Sequence, residues 1–93
     1  MDTVSTVMTT LITGSQIRMA RAALQIGVRE LAEMSGVSAM TITRIENDRS
    51  RGQVGSLEKI ANALQDAGVL FISENGGGPG VRLTKTSGRD NKI

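Results

Sequence analysis

The sequence predicts a mainly α fold: a bundle of four short helices followed by a C-terminal β-hairpin. Three observations predict it. Apolar residues recur at three- and four-residue spacing between Ile17 and Leu64. Hydroxyl residues and glycines punctuate that pattern where helices start and stop. After Gly68 the texture changes to two short β-branched runs separated by a glycine-rich stretch.

The elements follow in order. Residues 1–12, MDTVSTVMTTLI, carry little charge and read as a flexible or partly ordered N-terminal tail. Thr13-Gly14-Ser15-Gln16 has the form of a capping box, a hydroxyl with Gln three residues later. Behind it Ile17, Ala20, Ala23 and Leu24 recur at helical spacing, which predicts a helix over 14–25 closed near Gly27. Arg18, Arg21 and Gln25 fall mostly on its other faces. A second helix is expected over 28–34, with Leu31 and Ala32 inward and Gly36 ending it. A third runs over 38–46 from a Ser38 cap, with Ile42 and Ile45 inward. Residues 47–54 form a polar basic loop. Ser56-Leu57-Glu58-Lys59 opens a fourth helix, with Leu57, Ile60, Ala61 and Leu64 inward and Gly68 ending it. The helical domain thus spans 13–68. Val69-Leu70-Phe71-Ile72 and Val81-Arg82-Leu83-Thr84 read as strands of a hairpin over 69–84, and residues 85–93 as a disordered polar tail.

Composition narrows the chemistry. The 93 residues hold one Phe and no Trp, Tyr, Cys or His. Leu, Ile, Val, Ala and Met must therefore build the core. Without Cys or His, disulfides, most zinc sites and most nucleophile–base pairs are excluded, so no metal, cofactor or catalytic residue is expected. The formal charge of +2 and pI near 9.7 permit a nucleic-acid partner without demanding one. No apolar run is long enough for a membrane helix and the N-terminus is no signal peptide, which leads us to expect a cytoplasmic protein. The Gly76–Gly80 stretch lacks the Lys-Ser/Thr pair of a phosphate loop and is a hairpin connection.

The stretch LAEMSGVSAMTITRIENDRS carries the function. Its helical pattern stops at Ser35-Gly36 and restarts at once with Ser38-Ala39-Met40-Thr41. Two short helices joined by so few residues cross steeply. Val37 plugs the turn, and Ile42 and Ile45 hold the second of the pair down. This is a helix-turn-helix. With both isoleucines inward, the outer side of the later helix carries Ser38, Ala39, Met40, Thr43, Arg44 and Asn47. Small residues let such a helix approach a major-groove floor, Arg can bond guanine O6 and N7 together, and apolar groups can meet a thymine methyl.

Over residues 15–67 the chain resembles the Cro/cI-type (XRE) helix-turn-helix family of DNA-binding transcriptional regulators. IRMARAALQIGVRELAEMSGVSAMTITRIENDRS and SLEKIANAL carry the resemblance. It implies a lambda-repressor-like bundle that binds operator DNA as a homodimer. It also implies base contacts from Ala39, Met40, Thr43 and Arg44, and phosphate contacts from Ser38, Asn47, Arg49 and Arg51. Arg21 and Glu46 match a structural ion pair between the first helix and the end of the third. Two departures stand out. Gly27-Val28 replaces the hydroxyl or Asn cap and Gln that many relatives carry at the second helix, and the hairpin replaces a fifth helix.

The expected function is sequence-specific, double-stranded-DNA-binding transcription regulation, by a homodimer that represses a promoter through a near-palindromic site. Val69, Leu70, Phe71, Ile72, Val81 and Leu83 are the dimerisation candidates, since an apolar strand on so small a chain is a ready interface. The alternative is an antitoxin-like or antiactivator module whose main partner is another protein, captured by the N-terminal residues or the hairpin. An enzyme is the third reading, and the absence of His, Cys and any convergent carboxylate pair counts against it.

Overall fold

The computed structural model of the chain describes residues 12–73 and 75–84. These residues form four helices and an antiparallel pair of strands: α1 (Gly14–Leu24), α2 (Val28–Ser35), α3 (Ala39–Glu46), α4 (Val54–Asp66), β1 (Val69–Ile72) and β2 (Gly80–Leu83). The expected mainly helical bundle with a C-terminal hairpin is the observed fold. The expected tail over 85–93, and that over 1–12 apart from Ile12, lie outside the described residues.

Local chemistry explains each boundary. At α1 the capping box is complete: Gln16 N–H donates to Thr13 Oγ1 at 3.1 Å, and Thr13 N–H donates to Gln16 Oε1 at 2.9 Å. The helix ends one residue earlier than its periodicity suggested. Gln25, not Gly27, takes the left-handed conformation at φ 60°. Its N–H reaches Ala22 O at 3.1 Å while Ile26 N–H reaches Arg21 O at 3.0 Å, which closes the last turn. Gly27 is already extended and serves as the N-cap of α2. It offers no side chain, so only the reverse half of the cap forms, with Gly27 N–H donating to Glu30 Oε1 at 2.9 Å.

α2 continues to Ser35 and is closed by Gly36 at φ 81°, where a Cβ would be strained. Ser38 caps α3 as expected, with Ala39 the first helical residue, and accepts from Thr41 N–H at 3.1 Å. α4 starts at Val54, two residues before the expected Ser56, because Gln53 is extended and its carbonyl takes Leu57 N–H at 3.0 Å.

One core gathers all six elements: Ile17 and Ala20 from α1, Leu31 from α2, Ile42 and Ile45 from α3, and Leu57, Ile60, Ala61 and Leu64 from α4. Val37 fills the turn between α2 and α3. Ile12, expected in a tail, is buried in the same cluster. α2 packs on α3 and α4, and α1 packs on α3.

The hairpin belongs to this core. β1 lies against α4 and β2 against α1, with Phe71 paired to Val81 and Val69 to Leu83. Val69 and Phe71 are buried inside the chain itself, which removes both from any surface available to a second copy. The one-residue alternation of a strand decides this: the face carrying Val69 and Phe71 meets the helices, and Leu70 faces out.

Buried Gln16 locks the arrangement. Its Nε2 donates to Ile72 O and to Gly80 O, each at 3.0 Å, while its Oε1 completes the cap of α1. One amide therefore ties the start of the bundle to the loop end of the hairpin. Both of its N–H donors and its oxygen are hydrogen-bonded, as a buried amide requires.

The tightest crossing lies at Gly14. A Cβ there would stand 2.9 Å from Glu46 Cα and 3.0 Å from the Ile45 carbonyl carbon. Backbone meets backbone, so neither side can yield by a rotamer change. We predict that Gly14→Ala destabilises the fold by ~3 kcal/mol, the upper end of overpacking costs. Urea unfolding checks this, and a loss below ~0.5 kcal/mol, the scale of an ordinary surface change, would show that the crossing has room to spare.

Candidate nucleic-acid interface

α3 presents the outer face that the sequence suggested. Ile42 and Ile45 are buried, and Glu46 lies beside them against α1. Met40, Thr43, Arg44 and Asn47 are exposed, Ala39 is half-buried, and the capping Ser38 is exposed at the leading end. Met40 is 62% exposed, an unusual state for so apolar a side chain. No acidic residue lies in the first turn. Ser38 and Thr41 also hydrogen-bond through their hydroxyls at 3.0 Å, which orders the entry to the helix.

What holds this face out is the grip of α1 on the far end of α3. Arg21 binds the Glu46 carboxylate with both prongs, Nε to Oε2 at 2.8 Å and Nη2 to Oε1 at 2.8 Å. The pair is largely shielded, with side chains 21% and 6% exposed. Arg21 Nη1 also donates to Ile26 O at 3.3 Å, tying the α1–α2 turn to the same group. The hydrogen bond to Glu46 raises the Arg21 pKa above its already high usual value, burial opposes it, and the charge of Glu46 adds to it. The guanidinium is therefore charged at every pH at which the protein is folded, and this cation contributes no pH dependence of its own in that range.

Arg18, one turn earlier on α1, donates to the Glu46 backbone carbonyl and to Ser15 Oγ at 3.4 Å. A cation at the C-terminus of α3 complements the negative end of its dipole. Sequence reasoning placed Arg18 off the apolar face of α1 and missed this contact. Its three-residue spacing from Arg21 was the available signal, since both then lie on one side of α1.

The basic loop continues the surface. Arg49 and Arg51 are exposed, as is Asp48 between the turn and the arginines. Arg49 N–H bonds to Arg44 O at 2.8 Å, which fixes the loop to the last turn of α3. Two hollows flank the loop. One, of about 910 Å³, lies between it and the start of α1, over Ile12, Ile45 and Leu57. The other, of about 440 Å³, lies between α3 and the start of α4. The first turn of α4 carries no acid, and Gln53 makes no side-chain cap there.

The structure thus groups Ser38, Ala39, Met40, Thr43, Arg44 and Asn47 on α3 and its caps, brings Arg49 beside Arg44, sets Arg51 in the hollow by the start of α1, and holds Arg21 and Glu46 together beneath. The hairpin residues stand elsewhere. Leu70 and Leu83 are exposed, at 43% and 49%, while Ile72 and Val81 are half-buried. No helix among the described residues is long and apolar enough to cross a membrane.

Removing one half of the shielded pair leaves the other half poorly solvated. We predict that Glu46→Ala costs ~2–3 kcal/mol and that the double variant Arg21→Ala/Glu46→Ala costs clearly less than the sum of the single changes. A double-mutant cycle in urea measures this, and strict additivity would show the pair to be idle.

Comparison with known proteins places this geometry. A helix-turn-helix family model matches residues 17–65, more than half of the chain. A search of the curated proteins finds no match. The matched segment runs from the first core residue of α1 to the last turn of α4, and holds both the crossing pair α2–α3 and the exposed α3 face. The chain belongs to the XRE-type helix-turn-helix family of DNA-binding regulators.

Proposed function

We propose that this protein is a sequence-specific, double-stranded-DNA-binding transcription regulator that represses by occupying a promoter. The observation that carries the reading is the exposed face of α3, acid-free in its first turn and braced from below by Arg18 and Arg21. In this reading α3 lies in the major groove. Ala39, Met40 and Thr43 approach base edges, and Met40 supplies the apolar contact that a thymine methyl favours. Ser38 and Asn47, the caps at the two ends of that face, bind phosphates and set the register, and Arg51 in the following loop adds a further phosphate contact. Arg44 and Arg49 stand at its α4 side.

A homodimer would place two such helices in successive major grooves, about 34 Å apart on a near-palindromic site. Leu70, exposed on the outward face of the hairpin, and Leu83, exposed at its edge on the face of Val69, supply apolar surface for that contact. They are better probes than deletion of the hairpin, because deletion would also strip Val69 and Phe71 from the core. The same two leucines support the reading in which a protein partner seats on the hairpin. Binding of a selected operator by the purified protein separates the two.

Selection from randomised duplexes, followed by anisotropy across a salt series, tests the reading. The expected result is a preference of ~10³ or more for the selected duplex over a scrambled one. Equal, weak, salt-sensitive binding to both would overturn it. Thr43→Ala and Met40→Ala should each weaken specific binding by ~1–3 kcal/mol and relax the preference at one base pair. Arg51→Ala should weaken all duplexes alike and lower the salt slope by about one. For self-association, Leu70→Ser/Leu83→Ser should shift a dimer toward monomer in sedimentation while leaving the helical signal intact; an unchanged mass would move the interface elsewhere.

A further inference from the structure

Arg44 and Arg49 come from different elements, α3 and the loop after it, yet both line the hollow of about 440 Å³ beside α4. Thr41, Ser50, Gln53 and Ser56 form its other walls. Among the described residues, neither guanidinium has a hydrogen-bond or ion-pair partner; the Arg21–Glu46 pair is formed elsewhere, and Asp48 reaches neither. Two unneutralised cations facing one hollow repel each other, so the site gains when an anion enters it.

The hydroxyls are turned to the same task. Thr41 Oγ1 accepts from Ser38 Oγ at 3.0 Å, and Ser50 Oγ accepts from Gly52 N–H at 3.0 Å. Each has thereby filled an acceptor position and keeps its own proton to donate. Ser56 Oγ has no partner among the described residues. The walls hence offer two guanidiniums and three hydroxyl donors and no carboxylate, the donor set for a tetrahedral oxyanion.

We infer that Arg44 and Arg49 together clamp one backbone phosphate of bound DNA in this hollow, so that Arg44 positions the recognition helix instead of reading a base. The inference rests on the DNA-binding reading above and moves Arg44 from the base-contacting set to the phosphate set. The lining of the hollow supports the move. Thr41 and Arg44, three residues apart on α3, both border it, whereas Met40, Thr43 and Asn47 do not; Arg44 stands at the edge of the exposed stripe, next to Met40 one turn earlier. An Arg44 turned toward a guanine would leave the hollow and abandon Arg49 there. With Arg44 on the backbone, base choice falls to Ala39, Met40 and Thr43, all uncharged.

The test compares wild type, Arg44→Ala, Arg49→Ala and Arg44→Lys on the selected and scrambled duplexes across a salt series. It adds selected duplexes carrying a neutral methylphosphonate at one backbone position at a time. Both alanine variants should lose affinity by roughly tenfold on both duplexes alike, with the salt slope lower by about 0.9 for each phosphate contact removed. Wild type should be weakened by methylphosphonate at one position per half-site, and both alanine variants should be less sensitive than wild type at that same position. Arg44→Lys should keep most of the slope. A fall in the selected-to-scrambled ratio of tenfold or more with an unchanged slope would overturn the inference and make Arg44 a base reader. Arg44→Ala binding both duplexes as wild type does, or Arg44 and Arg49 mapping to different phosphates, would overturn it as well. A wild type without sequence preference would instead sink the sequence-specific reading, and the slope on the scrambled duplex would still decide for or against the clamp.

Discussion

The crossing of α1 over the end of α3 is the contact on which the rest of the molecule depends. Gly14 brings the two backbones together without an intervening side chain, and Arg18 and Arg21 then close on Glu46 from the next turns of α1. Contact and charge do different jobs. The glycine sets the distance, for a single methyl would meet backbone on the far side. The bidentate pair sets the rotation, because its planar fork accepts the carboxylate in few orientations. Net stability from such a shielded pair is small, since burial of the charges costs nearly what their attraction returns. Its value here is geometric: it fixes how an eight-residue helix leaves the bundle.

That constraint matters because α3 is too short to be helical alone. Two isoleucines and a capping serine are its main anchors to the core and the turn. A helix so held could rock about its axis were its far end loose. The arginines of α1 bind that far end, at the carboxylate and at the last carbonyl. The face bearing Met40 and Thr43 is thus presented at a defined angle before any ligand arrives, which reduces the ordering cost of binding.

The hairpin shows how a small chain without Trp or Tyr completes a core. Phe71, the single aromatic residue, and Val69 complete the core over α1 and α4. Gln16 supplies the polar half of the same junction by satisfying the helix cap and two strand carbonyls with one amide. The cost of this economy is a pair of leucines, Leu70 and Leu83, left facing water.

The sequence by itself determined the existence and order of the elements, the turn at Gly36, the cap at Ser38 and the identity of the residues on the outer face of α3. Those are local matters, ruled by periodicity and by one-residue chemistry that acts within a turn. The match of Arg21 with Glu46 was legible only through resemblance to a family, because the two lie far apart in the chain. Only the tertiary structure decided that Gln25 rather than Gly27 closes α1, that Ile12 joins the core, and that Val69 and Phe71 turn inward. It alone revealed Gly14 as a point of close approach, Gln16 as a bridge to the hairpin and Arg44 beside Arg49 over one hollow. Each of those depends on which elements meet in space, and pairwise spacing along one helix carries no information about the neighbour it will touch.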